Sequence, residues 1–526
     1  MDDEKGLDKP RMNRRAVIKG AVGVPILGVL TWAVTETQGR RRLDPLAMLE
    51  IEPEPPRAIG PAEGEPIRLG IIGYGSRGRH LLKATGFPSR HELQHMRSGA
   101  RRNPQDTRLQ EFFAQDDLNV RITGVCDLFE VNAQTALETA AMKQQHPKRF
   151  KSYQELLQSP DIDAVIIATP DHWHAPIALA AAQLGKHVYV EKCMTHRIGE
   201  TYALYDAVKR SGIVFQVGHQ HRQTDSFLAA RAILKKHYLG HISLIQATTN
   251  RNTESGAWIN PIHPQASPAT IDWAQFIGNG PQLAFDAERF FRWRKWWAYG
   301  TGLSGDLLTH DYDRINCLLE MGIPDSVTAT GGVYVFRDGR EVPDVFQVAM
   351  EFDDFTPYGA AGAGERGMTF LYSATLGSSY DRSTQLMGRD GTMELGDALI
   401  VHPEQESTRY AHWVQNAPRQ PIVVQASASV DATTSASVSY FAKKGLLSTS
   451  RDGKRVDPAH LHIREWLSCI RHGGTPSCGI EEGFEEAMSS HMATLAYRLA
   501  RRIEWDRDAR RIRNVSEREL ERLGMA

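Results

Sequence analysis

Short apolar runs, each closed by a turn or a charge, set the rhythm of the first half of the chain. Ile67-Arg68-Leu69-Gly70-Ile71-Ile72, Val120-Arg121-Ile122-Thr123-Gly124-Val125-Cys126, Asp163-Ala164-Val165-Ile166-Ile167-Ala168, His187-Val188-Tyr189-Val190 and residues 213–217 read as buried strands. Their β-branched and aromatic residues suit a close-packed pleated surface. Helical patterns come between them: residues 80–83 after the first run, an Ala-rich stretch ending at Leu184 after the third, and residues 198–210 after the fourth. Strands alternating with helices predict a doubly wound parallel sheet. From about Gly240 the pattern changes. Residues 241–249, 326–336, 344–352, 368–375, 384–387 and 392–395 are strand-like and joined with few helices between them. That predicts a mostly antiparallel sheet with one open face. Residues 86–117 are polar and read as an insertion; 404–457 show no clear period and read as another. The tail from 461 to 499 holds two helical stretches, the second of which (482–500) is expected to pack back on the body.

Composition narrows the class. The chain has 526 residues, long for one domain, and 41% hydrophobic with 24% charged residues is ordinary for a folded protein. Sixty-two basic residues against 63 acidic ones give a nearly neutral chain, so no nucleic-acid partner is expected. Five scattered cysteines without a CxxC suggest neither a disulfide framework nor a structural zinc site.

The N-terminus reads as a targeting segment. Arg14-Arg15 precede an uncharged run over residues 20–34, a basic region followed by a short apolar core. The paired arginines resemble a twin-arginine export signal. The run is short for a membrane span, which needs about 20 residues, and no A-x-A cleavage site follows it, so the segment is a signal or a membrane anchor. The expected organisation is a signal or anchor over 1–42, a Pro/Glu/Ala-rich linker over 43–65, a nucleotide-binding domain over 66–225, a substrate and oligomerisation domain over 226–460, and C-terminal helices over 461–526.

The first apolar run leads straight into Gly73-Tyr74-Gly75-Ser76-Arg77-Gly78, and a helical pattern follows. In that context the three glycines serve different ends. Gly73 permits a tight turn, Gly75 lets a pyrophosphate approach closely, and Gly78 allows helix–strand packing. The helix N-terminus, with Ser76 and Arg77, offers N–H groups to the anion. This predicts a Rossmann-type domain. Asp127, at the end of the second strand, is the expected ribose partner, which favours NAD over NADP. It follows Gly78 by 49 residues rather than the usual ~20, a gap the 86–117 insertion accounts for. The strand His187–Val190 ends in Glu191-Lys192, two opposite charges at the carboxyl edge of a parallel sheet, where ligands bind.

Gly73-x-Gly75-x-x-Gly78, Thr169-Pro170, His174 and Gly185-Lys186-His187-Val188-Tyr189-Val190-Glu191-Lys192 occur in the order and spacing of the Gfo/Idh/MocA family of glucose–fructose oxidoreductase and inositol dehydrogenase, which the chain resembles from about Ile67 to Asp506. The family's Glu-Lys-Pro is matched by Glu191-Lys192, with Cys193 in the third place. The resemblance implies a nicotinamide cofactor, with Gly73, Gly75, Ser76, Arg77, Gly78, Asp127, Thr169, Pro170, His174, Glu191 and Lys192 as its expected contacts; Gln220, by its place at the crevice, is a further cofactor or substrate contact. It also implies an α+β second domain whose open sheet pairs subunits into a homodimer or tetramer.

In the second half, Asp306 and His310 are four apart and would share a helix face, so the carboxylate would orient the imidazole as a general base. After a Gly-rich turn, the pair resembles the Asp-x-x-x-His catalytic pair of inositol dehydrogenases, and Trp293-Arg294 resembles the family's Trp-Arg before it. Arg294, Trp297, Tyr299 and Asp313 are the candidate substrate contacts, while Trp296 reads as core. His172-x-His174 and His219-x-His221 follow strand ends and suggest a metal only weakly; without a Cys or a Glu-x-x-His beside them, none is expected.

The implied activity is that of an exported, NAD-dependent oxidoreductase acting on a sugar, cyclitol or related polyol. His310 takes the hydroxyl proton and Lys192 stabilises charge on the same oxygen. Outside the cytoplasm, on the periplasmic side, a nicotinamide would have to stay bound and be restored within each cycle. Two other readings stay open: an NAD-dependent glycoside hydrolase acting by transient oxidation, and a non-catalytic sugar-binding or sensor protein on the same fold.

Overall fold

The structure is a computed structural model that describes residue 51 and residues 57–526 apart from 58, 105, 356, 360–366, 381, 397, 411–421, 427–448 and 452–453. The expected signal or anchor lies outside the described residues, as do the first part of the linker and much of the 404–457 stretch. Among the described residues no helix is long and apolar enough to cross a membrane.

Six strands form the first sheet: β1 (Ile67–Ile72), β2 (Val120–Cys126), β3 (Lys148–Arg149), β4 (Ala164–Ile167), β5 (His187–Val190) and β6 (Phe215–Val217). Their order is β3-β2-β1-β4-β5-β6 and every pairing is parallel. The order reverses between β1 and β4, which opens the crevice where such sheets bind ligands. Both faces are covered, which is why the strands are apolar almost throughout. One side packs Ala175, Ala178, Leu204 and Val208 against Val165 and Val188. The other packs Leu81, Ala136 and Trp466 against Leu69, Ile71 and Ile166. Trp466 comes from the C-terminal helix Pro458–His472, so the tail completes the first sheet. The end of the linker is tied to the same helix: Gly60 N donates to Ser468 Oγ, and Arg57 pairs with Glu465.

The polar 86–117 segment is a pair of helices, Arg90–Arg102 and Arg108–Phe113. A capping box between Ser89 and Glu92 starts the first of them.

The second sheet begins at β7 (Ile242–Asn250) and continues with β8 (Ser326–Gly332), β9 (Val345–Phe352), β10 (Met368–Thr375), β11 (Thr384–Gly388), β12 (Gly391–Leu395), β13 (Ala398–Pro403) and β14 (Ile422–Ala426). Ile503–Asp506 and Arg511–Ile512 extend the β8 edge to ten strands. All pairings are antiparallel except β7 with β10. Alternate residues of β9 and β10 are buried, the period expected of a sheet covered on one face. β14 lies in the stretch where no period was legible. The long helix Ile480–Leu499 is buried along most of its length and contacts β8, β6 and the helix Ile198–Ser211.

Candidate active site

The glycine turn has the shape its sequence implies. Gly73 sits at φ +87°, and a Cβ there would lie 2.6 Å from Ala168 O. A Cβ on Gly78 would strike Gly73 O. A Cβ on Gly75 meets nothing within 4 Å, so it would project into the space the turn leaves open. The helix Ser76–Ala84 starts without a side-chain cap and without an acid in its first turn, so its N–H groups are available to an anion. Asp127 ends β2 beside the turn, where its carboxylate accepts from Tyr74 N at 2.6 Å and Phe129 N at 2.8 Å. Burial pushes that carboxyl up, against the pull of these two bonds. Thr169 Oγ1, at the end of β4, is buried with no hydrogen-bond partner in the protein. A cradle that a Cβ would fill and an unpartnered hydroxyl at its rim fit a dinucleotide. Pro170 is the N-cap of the helix Asp171–Gln183. A cleft of about 960 Å³ runs past Ser76, Arg79 and Gln220 to the insertion helices, on the flank of the turn and away from Lys192.

Arg77 joins the turn to the end of β5. Its Nε lies 2.7 Å from Glu191 Oε1, and its Nη2 donates to Gln220 Oε1 at 2.9 Å. Gly218 makes room for this pair, since a Cβ there would sit 2.5 Å from Glu191 Oε1. His174 faces two carbonyls, Thr169 O at 2.8 Å and Cys193 O at 2.7 Å. It therefore ties the end of β4 to the segment after β5 and holds the backbone that carries Lys192. The Lys192–Cys193 peptide is cis. Cys193 is buried, its thiol lies 3.2 Å from Thr301 Oγ1, and burial raises its pKa well above the usual thiol value. It is a packed side chain, not a reactive thiolate.

Lys192 and Asp306 meet across the site. Lys192 Nζ donates to Asp306 Oδ1 and to Asp306 O, each at 2.7 Å. Asp306 Oδ1 also accepts from Arg294 Nε at 2.9 Å, and Oδ2 accepts from Trp258 Nε1 at 2.9 Å. Burial opposes ionisation, but the charges of Arg294, Lys192 and Arg251 hold the carboxyl well below its usual range.

The expected pairing of Asp306 with His310 gives way to these partners: indole and cations occupy both carboxylate oxygens. Residues Ser304–Leu308 form a π turn and the α-helix Thr309–Leu319 starts after it. Gly305 makes the turn possible, since a Cβ there would collide with Thr301 Oγ1.

His310 is buried and packs edge-to-face with His219, ring centroids 5.6 Å apart. Burial, then the charge of Lys192, holds its pKa well below the usual histidine value, so it is neutral. Beside it His219 Nε2 lies 2.7 Å from Glu486 Oε2, and His221 Nε2 lies 2.8 Å from Asp313 Oδ2.

The other candidates are placed differently from expectation. Asp313 is fully buried, with Arg222 gripping it through Nη2 at 2.6 Å and Nε at 2.9 Å, so it is a core anchor rather than a substrate contact. Tyr299 has no exposed surface and lies in an aromatic cluster with Phe276 and Trp296. Trp296 is core, as expected. Trp297 packs against the Arg498 guanidinium, 5.0 Å from the ring centroid, and its carbonyl accepts from His196. Arg294 stays at the site, stacked 4.1 Å over Trp293. His172 faces Phe276 O and Tyr299 O instead of joining His219 and His221.

Trp258, Arg251, Arg222 and Glu486 complete the site and had no motif to mark them. Only Arg222 carried a signal, through its place beside His219-x-His221 after a strand.

Two family models match most of the chain: an oxidoreductase family, NAD-binding Rossmann fold, over residues 67–219, and the same family's C-terminal alpha/beta domain over 283–504. The levoglucosan dehydrogenase of Pseudarthrobacter phenanthrenivorans is 29% identical over 213 residues, 39% of this chain and 47% of that protein. A scyllo-inositol 2-dehydrogenase (NAD+) of Bacillus subtilis is 27% identical over 250 residues, 47% of this chain and 59% of that protein. The alpha-N-acetylgalactosaminidase of Shewanella oneidensis is 29% identical over 153 residues, 28% of this chain and 27% of that protein. The chain thus spans about half the length, or less, of these curated relatives. A solved structure of levoglucosan dehydrogenase with NADH and levoglucosan superposes at TM-score 0.55 and 20% identity, over 84% of this chain and 99% of that one. On the two family models and the matching fold, the chain belongs to the Gfo/Idh/MocA oxidoreductase family.

Proposed function

We propose that the protein moves hydride between a hydroxyl-bearing carbon of a sugar, cyclitol or related polyol and a nicotinamide cofactor. One observation carries this reading: Lys192 stands at the carboxyl edge of the sheet, linked to the glycine turn through Glu191 and Arg77, and faces Asp306 with His310 nearby. A nicotinamide cofactor, when bound, would supply the hydride acceptor. The chain's own residues supply the rest. The glycine turn and the Ser76–Ala84 N-terminus hold the phosphates, and Thr169 and Glu191 line the way to Lys192. Lys192 donates a hydrogen bond to the substrate oxygen and stabilises the charge that grows on it. Asp306 and Arg294 keep the ammonium in place. Neutral His310 accepts the hydroxyl proton.

Asp127 beside the turn favours NAD over NADP, because a carboxylate accepts from ribose hydroxyls and repels a 2′-phosphate. Export by the Arg14-Arg15 segment belongs to the same proposal, with the protein periplasmic or anchored on the outer face of the membrane. So does a tightly held cofactor, and so does a homodimer or tetramer formed through the open sheet. Fusion of residues 1–42 to a reporter active only after export tests the targeting, and Lys-Lys in place of Arg14-Arg15 should abolish it.

The central test is to denature the purified protein and assay the supernatant for NAD and NADP. Bound NAD is expected. Protein that releases neither and binds neither when added overturns the proposal. A second reading is favoured by the likeness to an alpha-N-acetylgalactosaminidase: hydrolysis of a glycoside through transient oxidation of a ring hydroxyl. Release of the aglycone from a chromogenic glycoside, without net NADH, distinguishes it from a dehydrogenase.

A further inference from the structure

We propose that His219, His221 and His310 bind a divalent transition-metal ion of the zinc class. Each offers one ring nitrogen, and these atoms all lie within 4.8 Å of one another. His219 and His221 come from the turn after β6, and His310 comes from the helix after the π turn. Two elements far apart in the chain thus bring three imidazoles to one point. All three are buried, and His219 and His221 have no exposed surface. Bonds of ~2 Å from zinc to imidazole nitrogen require the three rings to close in on one another from this spacing.

Other histidines of the interior are held mainly by backbone carbonyls. His172 faces Phe276 O and Tyr299 O, and His174 faces Thr169 O and Cys193 O. His196 faces Trp297 O, His460 faces Ala84 O and His462 faces Val217 O. Each has a backbone carbonyl as partner, though the second nitrogens of His460 and His462 have no hydrogen-bond partner among the described residues, and buried His491 faces Thr195 Oγ1 at 3.0 Å. The cluster is built otherwise. Carboxylates stand behind two of its members: Glu486 Oε2 at 2.7 Å from His219 Nε2, and Asp313 Oδ2 at 2.8 Å from His221 Nε2. Glu486 fixes Nε2 of His219 as the donor. That leaves Nδ1 as the lone-pair nitrogen, and this atom is buried with no hydrogen-bond partner in the protein. A carboxylate behind an imidazole is the arrangement that sets the tautomer and raises the basicity of metal-binding histidines. Glu486 places a carboxylate beside the site, while the Asp313 charge is shared with Arg222. Three neutral nitrogen ligands leave a fourth position for water or a substrate oxygen, as in catalytic zinc sites.

If the protein is the oxidoreductase proposed above, the consequence is specific. In the metal-loaded protein His310 would be a ligand rather than the proton acceptor, and the ion would stabilise the charge on the substrate oxygen while the proton passes to solvent. The metal site itself stands on the histidine geometry alone.

The test uses full-length protein stripped with a chelator, with Co2+ as the probe and Zn2+ as competitor. One Co2+ per chain is expected, with visible absorption of a low-coordinate site that Zn2+ displaces. The absorption should vanish in His219→Ala, His221→Ala and His310→Ala and persist in the surface variant His91→Ala. Glu486→Gln, which keeps shape, should weaken affinity by roughly 10–100-fold. Circular dichroism and nicotinamide binding confirm that each variant is folded. Folded, cofactor-binding protein with no stoichiometric Co2+ or Zn2+ overturns the metal site and leaves the oxidoreductase reading intact. Metal bound equally by all three histidine variants also overturns it. Metal bound without any nicotinamide affinity supports the site and overturns the oxidoreductase reading instead.

Discussion

Lys192 Nζ reaches both the side chain and the backbone carbonyl of Asp306 at 2.7 Å. The ammonium therefore cannot drift, and its third proton is left for a substrate oxygen. Lys192→Ala should keep nicotinamide binding, measured by fluorescence, and lower turnover by roughly 10²–10³-fold, the usual cost of losing one donor to a developing oxyanion. Lys192→Ala at full turnover would exclude the role.

Asp306 is the buried anion among Lys192, Arg294 and Arg251. Removing it leaves buried cations uncompensated, which typically costs about 3–5 kcal/mol. Asp306→Asn should lower the unfolding free energy measured in urea by that much at pH 7. An unchanged value would mean that water screens the cluster.

Two of the turn glycines should fail in different ways. Gly75→Ala meets no atom of the protein, so its melting temperature should match the parent while nicotinamide affinity falls at least tenfold. Gly78→Ala collides with Gly73 O and should lose stability as well. Calorimetry alongside cofactor titration separates the two. Equal effects on stability would contradict the open space above Gly75.

Stability should fall on mild acidification. Burial lowers the pKa of His172 to about 4 and that of His491 to about 3, against about 6.5 in the unfolded chain. Between those values the unfolded chain binds protons that the folded one refuses, so stability is complete above pH 6.5 and declines as pH falls toward 4. His172 alone accounts for on the order of 3 kcal/mol at 1.36 kcal/mol per pKa unit. Melting temperatures from pH 7.5 to 4.5 check this, and His172→Gln should flatten the slope.

What the sequence by itself determined is local in origin. Alternation of apolar runs and helical patterns marked β1, β2, β4, β5 and β6, because strand and helix periods are properties of a few neighbouring residues. The glycine spacing located the turn for the same reason, and Asp127 came to its side despite the long insertion. β14 lies in a stretch without period, and Ile503–Asp506 pairs with β8 more than 170 residues away, so neither strand has a local signal.

What only the tertiary structure decided is which charged and aromatic groups share the buried site. Asp306 and His310 are a natural pair on a helix, but both Asp306 carboxylate oxygens are taken by Lys192, Arg294 and Trp258. Asp306 then falls to cations from the end of β5 and from residues 251 and 294. His219 and His221 belonged in sequence with His172 and His174. Packing put His172 and His174 on backbone carbonyls and brought the first two to His310. A buried charge or polar group is costly to leave alone, and which partner it meets is decided by which elements the fold brings together.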